Sequence, residues 1–328
     1  MFAREASPFA AGLPPLVRLR RAYRRAFVEG TFWGDFQESY LAPTRVAGAP
    51  DRVLDAGCGQ GETLELFRRL HVPVDYYGVD LAVGDPTWKF RVTAIADLHR
   101  LPFKDGSFDK IICNTVLEHV DDPTLVFSEF ARVIRPGGRI FMSVPFVWHL
   151  HQEPFDRFRF TVHALRHLVA KHGLVEDEIR PMGGYFSVLR YLLNRSSLVW
   201  SQVPQPLRAV LSRLERARAA VDRWALAPIF FALDQLDRSP KLTLGYFVQA
   251  SKPGTAPDAP VDPYCCPACR GTFERAPDTW RCSDCLTSYP IDAGVPVLSS
   301  AGVYEPVAGW TASEVGRKLA GSGAAQPR

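Results

Sequence analysis

No uninterrupted apolar run of 18 or more residues occurs in the 328-residue sequence, so no membrane-spanning helix is expected. No continuous apolar stretch leads it either, so no secretory signal is read at the N-terminus. Neither sign of charge dominates. The 39 Lys and Arg nearly balance 35 Asp and Glu, and a formal net charge of +4 does not by itself point to nucleic acid or a membrane. Internal repeats are absent. Cysteine is scarce outside one stretch: of seven, four lie between Cys266 and Cys285 with Cys265 beside them, leaving only Cys58 and Cys113 elsewhere. Paired C-x2-C spacings without a secretory leader read as a metal site rather than a disulfide framework. What is present suffices for a folded core, because 47% of residues are hydrophobic and 23% charged. The length suits one large domain with a smaller one, or two modest domains.

Hydrophobic patterning divides the chain. Residues 1–50 hold a basic, aromatic-dotted segment. The spacing predicts a helix with Leu16, Leu19, Tyr23 and Phe27 on one side, read as a lid or as a surface for an anionic partner. From residue 51, apolar runs (RVLDAG, DYYGVDL, FRVTAIAD, KIICN, GRIFMSVPF) alternate with amphipathic ones (GETLELFRRL, PTLVFSEFARVI). That alternation predicts an α/β domain over 51–252, a parallel sheet with helices on both faces. FTVHALRHLVAKHG adds a helix stopped at Gly173, and LVEDEIRP and KLTLGYFVQASKP add later strands. Between those strands, about 185–238, lies a Leu-, Ala- and Arg-rich helical insertion broken near Pro204 and Pro206. An acceptor-site cap, peripheral membrane contact and RNA contact all fit it. A Pro- and Ala-rich linker (253–263), a cysteine module (264–299) and a Gly- and Ala-rich tail (300–328), expected to be flexible, complete the chain.

VLDAGCGQGETL is a strand, a glycine turn and a helix start. Asp55 ends the strand; Gly57, Gly59 and Gly61 permit a tight turn and close approach by a ligand, with free N–H groups at the helix start facing it. Dinucleotide enzymes use a related turn, but here an acid precedes the first glycine, placed to meet a cationic amino group rather than a pyrophosphate. Asp80 ends the next strand, 19 residues after Gly61, where a carboxylate can accept from ribose hydroxyls; this alone suits NAD as well as S-adenosylmethionine.

With ADLHRLPFKDGSFDKIICNTVLEHV and RVIRPGGRIFMSVP added, residues 50–180 resemble the class I S-adenosylmethionine-dependent methyltransferases, in the subgroup that includes ubiquinone-biosynthesis enzymes. The resemblance implies a Rossmann-like methyltransferase fold with S-adenosylmethionine as cofactor. By its motifs, Asp55, Gly57 and Gly59 surround the methionine part, with Gly61 closing the turn and Cys58 packed within it. Asp80, with Leu81 after it, holds the ribose. Asp97, with Leu98 beside it, reaches the adenine amino group, and Asn114 lies near the sulfonium. A segment after the fifth strand, HLHQEPFDRFRFT here, lines the acceptor pocket in many bacterial members. His151 in it is the first candidate for a general base and His119 the second. Glu118 with His119 also offers a pair of metal-ligand types.

Cys266 and Cys269 form one knuckle and Cys282 and Cys285 another, which together make a tetrahedral sulfur site for zinc, with iron as the alternative. Cys265 is a possible competitor for a ligand position. The following YPI-x-x-GVPVL resembles the small zinc-ribbon methyltransferase activators, here fused in cis, and Ala293 occupies a position often acidic among them. The expected function is methyl transfer to an oxygen or nitrogen of a small molecule, glycan precursor or lipid-linked intermediate, with the ribbon stabilising or activating the enzyme. Two alternatives stay open: a methyltransferase for RNA or a translation protein, and a non-catalytic cofactor-binding scaffold. Against the first, the chain reads Cys113-Asn114-Thr115-Val116 where amino-group methylases of bases and glutamine often carry NPPY. A cytoplasmic protein, peripheral contact through 185–238, and a monomer or homodimer are the accompanying expectations.

Overall fold

A computed structural model of the chain describes residues 36, 39–41, 50–81, 92–195, 221–222, 226–234, 236–237, 241–255, 260–292 and 294–299. The expected N-terminal helix, the middle of the insertion with its two prolines, and the tail lie outside the described residues. By contacts the chain divides into two compact units, one of residues 43–180 and 246–328, the other of 1–42 and 181–245.

The larger unit is built around a seven-stranded sheet. Its elements are β1 (Asp51–Ala56), α1 (Glu62–Arg69), β2 (Val74–Asp80), β3 (Ala94–Ile95), β4 (Phe108–Asn114), α2 (Pro123–Val133), β5 (Ile134–Pro145), α3 (Val162–Lys171), β6 (Val175–Pro181) and β7 (Gly245–Ser251). The spatial order is β3-β2-β1-β4-β5-β7-β6, and β3, β2, β1, β4 and β5 pair in parallel. The parallel sheet is the one the sequence pattern predicts, and it is Rossmann-like, as the resemblance implies. Val53, Leu54 and Ala56 on β1, and Ile111, Ile112 and Cys113 on β4, are fully buried, as expected of central strands covered on both faces. The order runs one way from β1 to β3 and the other way from β4 to β5. Right-handed crossovers then place successive helices on opposite faces and open a crevice outside the carboxyl ends of β1 and β4.

Local chemistry sets the helix ends. α1 buries Thr63, Leu64, Leu66 and Phe67 and starts at Gly61, which has φ +72° and no side-chain cap. α2 starts at Asp122, whose Oδ1 accepts from the N–H of Thr124 and Leu125, with Pro123 in the first turn. α3 is capped by Thr161 and followed by Gly173 at φ +69°.

A second sheet, β11-β10-β9-β8, belongs to the cysteine module: β8 (Phe273–Arg275), β9 (Thr279–Cys282), β10 (Ser288–Asp292) and β11 (Val295–Pro296). Among the described residues the core of the module is continuous with the main one. Cys266, Cys282, Tyr289 and Leu298 lie in the same hydrophobic cluster as Phe103, Phe108 and the β4 and β5 side chains.

The smaller unit holds α4 (Tyr185–Asn194) and α5 (Ala227–Asp234). Gly184 precedes α4 without a side chain to cap it. Asp234 from α5 accepts instead from the N–H of Gly184, Phe186 and Ser187 and from the Ser187 hydroxyl, while Asp237 accepts from the Tyr185 N–H. A Cβ on Gly184 would sit 2.7 Å from Asp237 Oδ2. Among the described residues no helix is long and apolar enough to cross a membrane.

Candidate active site

The glycine turn sits at the carboxyl end of β1. Gly57, Gly59 and Gly61 all have positive φ, +76°, +49° and +72°. Gly57 is irreplaceable on steric grounds, because a Cβ there would lie 2.4 Å from a Val116 methyl carbon. A Cβ on Gly59 would meet nothing within 4 Å, so the turn is open at that point and offers a cradle for a ligand. Asp55 lies beneath the turn, 3% exposed. Tyr76 donates its hydroxyl to Asp55 Oδ2 at 2.7 Å, yet burial still pushes the Asp55 carboxyl up to about 7. Cys58 is buried in the turn, its thiol pushed up by burial, as befits a packed side chain.

Asp80 ends β2 and faces the same turn. Its Oδ2 accepts from the Gly59 N–H at 2.9 Å and its Oδ1 from the Leu81 N–H at 2.8 Å; the Leu81 side chain is exposed. Asp97 caps a 3-10 turn, Leu98–Arg100, with Leu98 buried beneath it. Its Oδ1 accepts from the His99 N–H at 2.9 Å and meets His99 Nδ1 at 2.6 Å. Asn114 ends β4 and accepts from the Ser143 hydroxyl of β5 at 3.1 Å. These sequence-predicted residues therefore cluster at the carboxyl ends of β1 to β5, on the side of the sheet where the crevice opens.

The two candidate histidines meet there as well. Glu118 and His119 follow β4, and His151 follows β5. The imidazole rings stand 4.8 Å apart, edge to face. Between them lies the fully buried Glu118 carboxyl, whose Oε1 is 3.6 Å from His151 Nε2 and 3.8 Å from His119 Nε2. Among the described residues neither Glu118 oxygen has a hydrogen-bond partner, and His119 Nε2 has none. Burial pushes the Glu118 carboxyl up to about 7 and pushes the His119 imidazole down. His151 is held from its other side. Asp156 Oδ2 lies 3.2 Å from Nδ1 and accepts the His151 backbone N–H at 3.0 Å. Arg159 grips Asp156 in a two-pronged ion pair, 2.5 and 2.6 Å, and holds its carboxyl well below the usual carboxylate range. The donor atoms of Glu118, His119 and His151 lie within 4.8 Å of one another, so His151 supplies the third member that the Glu118–His119 pair lacked in sequence.

In the cysteine module the four expected thiols converge within 4.8 Å of one another. Cys266 Sγ lies 3.7 Å from Cys285 Sγ, and Cys269 Sγ lies 3.4 Å from Cys282 Sγ. Four soft sulfur donors in two knuckles suit zinc. Hydrogen bonding with Thr287 brings the Cys285 thiol down to about 6. Cys265 stands outside this set. Its N–H donates to the Pro102 carbonyl, and burial pushes its thiol up to about 11.

This module grips the segment that carries Asp97. Leu298 donates its N–H to the Ile95 carbonyl, and Val297 pairs with Ile95 in parallel, extending the β3 edge. Arg100 donates to the Ala268 carbonyl between the first two cysteines. Glu129 accepts from the Leu101 N–H and forms an ion pair with Arg270, next to Cys269. Phe103 bridges Tyr264 in the backbone, and their rings pack at 5.1 Å. Val295 and Val297 share an apolar cluster with Cys58, Val92 and Ile95, so the module reaches the underside of the glycine turn.

Sequence reasoning did not find Tyr76, His99, Asp156 or Arg159. Asp156 and Arg159 were visible only as charged residues in a loop, and nothing in a strand pattern marks Tyr76 as the partner of Asp55.

Residues 29–175 match a protein family described as a methyltransferase domain. A ubiquinone biosynthesis O-methyltransferase of Xanthomonas oryzae pv. oryzae is 37% identical over 110 residues, covering 30% of this chain and 44% of that relative. A malonyl-[acyl-carrier protein] O-methyltransferase of Hahella chejuensis is 30% identical over 113 residues, covering 32% of this chain and 40% of that relative. The chain thus spans less than half the length of these relatives. Among solved structures, a chain from a complex containing the Haloferax volcanii Trm112 methyltransferase activator aligns with a TM-score of 0.40 and 17% identity. That alignment covers 76% of this chain and 100% of the other. The glycine turn, Asp80, Asp97 and the Glu118–His119 pair all fall inside the matched methyltransferase domain.

Proposed function

We propose that this protein transfers a methyl group from S-adenosylmethionine to an oxygen or nitrogen of a small molecule, glycan precursor or lipid-linked acceptor, and that a zinc-loaded ribbon supports the cofactor side in cis. The observation that carries the reading is the His119–Glu118–His151 cluster standing beside the glycine turn: Val116, whose methyl groups pack on Gly57, is only two residues from Glu118.

The bound cofactor supplies the methyl group on an electrophilic sulfonium. The chain's own part is to position and to handle a proton. The open turn at Gly59 receives the methionine portion, Asp80 the ribose and Asp97 the adenine. His151 takes the proton of an acceptor hydroxyl at Nε2. Nδ1 meets the His149 carbonyl at 3.3 Å, Asp156 holds the His151 backbone N–H and lies 3.2 Å from Nδ1, and Arg159 keeps Asp156 ionised. The Glu118 carboxyl, pushed up to about 7 by burial, stands 3.6 Å from Nε2 of that imidazole. Positioned base catalysis of this kind is worth roughly 10²–10⁴ in rate.

Cys266, Cys269, Cys282 and Cys285 would hold the zinc, and their knuckles carry the contacts to Arg100 and Glu129. Metal binding supplies folding energy to a module this small, and through those contacts it steadies the wall that carries Asp97.

The test is the fate of a labelled methyl group. Purified protein is incubated with methyl-labelled S-adenosylmethionine and fractionated extract of the source cell. Label in the lipid, glycan or small-molecule fraction supports the proposal. Label in nuclease- or protease-sensitive material replaces it with a translation-linked substrate, and cofactor binding with no labelled fraction replaces it with a scaffold role.

A further inference from the structure

His99 lies between two parts of the site that the mechanism treats separately. Its Nε2 accepts the backbone N–H of Asp122 at 3.0 Å. A nitrogen that accepts carries no proton, so Nδ1 carries it and donates to Asp97 Oδ1 at 2.6 Å. The His99 backbone N–H donates to that same oxygen at 2.9 Å. One carboxylate oxygen is therefore held twice. A backbone cap alone leaves an aspartate free to turn about its last torsion, which is broad and poorly staggered. A second donor on Oδ1 removes that freedom and gives Oδ2 a fixed direction.

The other end of the imidazole is anchored just as firmly. Asp122 caps α2 through Thr124 and Leu125, and it follows His119 by three residues. The residues after His99 do not drift, because Arg100 is bonded to the Ala268 carbonyl and the Leu101 N–H to Glu129.

We infer that His99 is a positioning residue: as a neutral imidazole protonated on Nδ1, it aims the Asp97 carboxylate at the adenine amino group of the cofactor and ties that carboxylate to the turn behind the His119 cluster. The inference rests on the reading of Asp97 as the adenine acceptor.

The two halves of the imidazole can be separated. Asn places an amide nitrogen near the position of Nδ1, and Gln places an amide oxygen near that of Nε2. His99→Asn therefore keeps the contact to Asp97 and loses Asp122; His99→Gln does the reverse. The assay is the affinity of full-length protein for S-adenosylhomocysteine and for its hypoxanthine counterpart, in which a 6-oxo group replaces the 6-amino group, with melting temperatures recorded alongside. A site built to accept from the amino group should prefer adenine by about tenfold or more. The expected result is that His99→Asn keeps this preference while His99→Gln brings the two affinities close to equal. If both variants weaken both ligands by the same factor, or both keep the preference intact, His99 does not aim Asp97 and the inference is overturned. If the unaltered protein shows no preference, the reading of Asp97 itself falls and takes the inference with it.

Discussion

Glu118 gives the sharpest quantitative prediction, because its burial leaves a thermodynamic signature independent of any acceptor. Its carboxyl is fully buried, neither oxygen has a hydrogen-bond partner among the described residues, and it is pushed up to about 7 from an ordinary value of 4.5. The folded state then keeps a proton that the unfolded chain gives up near pH 4.5. The stabilisation from holding that proton is fully present below pH 4.5 and is lost as the pH rises to 7 and beyond. At about 1.4 kcal/mol per pH unit, the loss amounts to about 3 kcal/mol by pH 8. Glu118→Gln removes the titration while keeping size and polarity. Its stability relative to the unaltered protein should therefore improve by about 2–3 kcal/mol between pH 5 and pH 8. Taking the difference cancels the similar loss from Asp55, also pushed up to about 7. Chemical denaturation of both proteins across that range checks it, and methyl transfer by Glu118→Gln should fall even as stability at pH 8 rises. Parallel pH profiles for the two proteins would show that the carboxyl is solvated or paired, and the description of the cluster would be wrong.

The other predictions address the remaining parts of the site. Asp80→Ala should weaken cofactor binding by roughly 1–3 kcal/mol, the order expected for lost hydrogen bonds to a charged group, measured by calorimetry with S-adenosylhomocysteine; unchanged affinity would remove the cofactor assignment. Asp156→Asn should lower kcat by roughly tenfold or more toward a hydroxyl acceptor while cofactor affinity stays normal, since it loosens His151 and not the cofactor wall. Full kcat for His151→Ala would eliminate that residue as the base. Cys282→Ser should release zinc, seen by elemental analysis, and lower the melting temperature by several degrees because Cys282 belongs to the main core.

The sheet was legible because it rests on patterns that a single sequence carries. Apolar runs such as VLDA and KIIC have room for only one reading between amphipathic segments, and the structure places β1 and β4 there. The positions of Asp55, Asp80 and Asn114 were legible for the same reason, since each stands at or next to a strand end. The proton-handling cluster was only half visible. His119 and His151 are 32 positions apart in sequence, and their meeting depends on β4 and β5 being neighbours in the sheet. Asp156 and His99 are tied in by side-chain hydrogen bonds with no period or spacing signature, so their contacts emerge only from the folded structure.

The placement of the cysteine module was the least legible feature, and its physical cause lies in β3. That strand is only two residues long and sits at the end of the sheet, where its outer backbone groups would face solvent. Val297 and Leu298 cover them, Tyr264 closes the aromatic group of Tyr77, Phe103 and Phe108, and Val295 and Val297 bury Ile95 and Cys58. The segment from Ile95 to Lys104 thus depends on the module for much of its fixation, and the Asp97 carboxylate lies within it. Removing everything after Lys252 exposes that edge and those apolar side chains together. A chain ending there should melt lower and bind S-adenosylhomocysteine more weakly than the full-length protein, with the affinity loss exceeding that of Arg270→Ala, which removes a single half-exposed ion pair to Glu129. Equal melting and equal affinity would mean that the β3 edge holds its own shape, and the ribbon would then have to be explained by something other than support of the cofactor site.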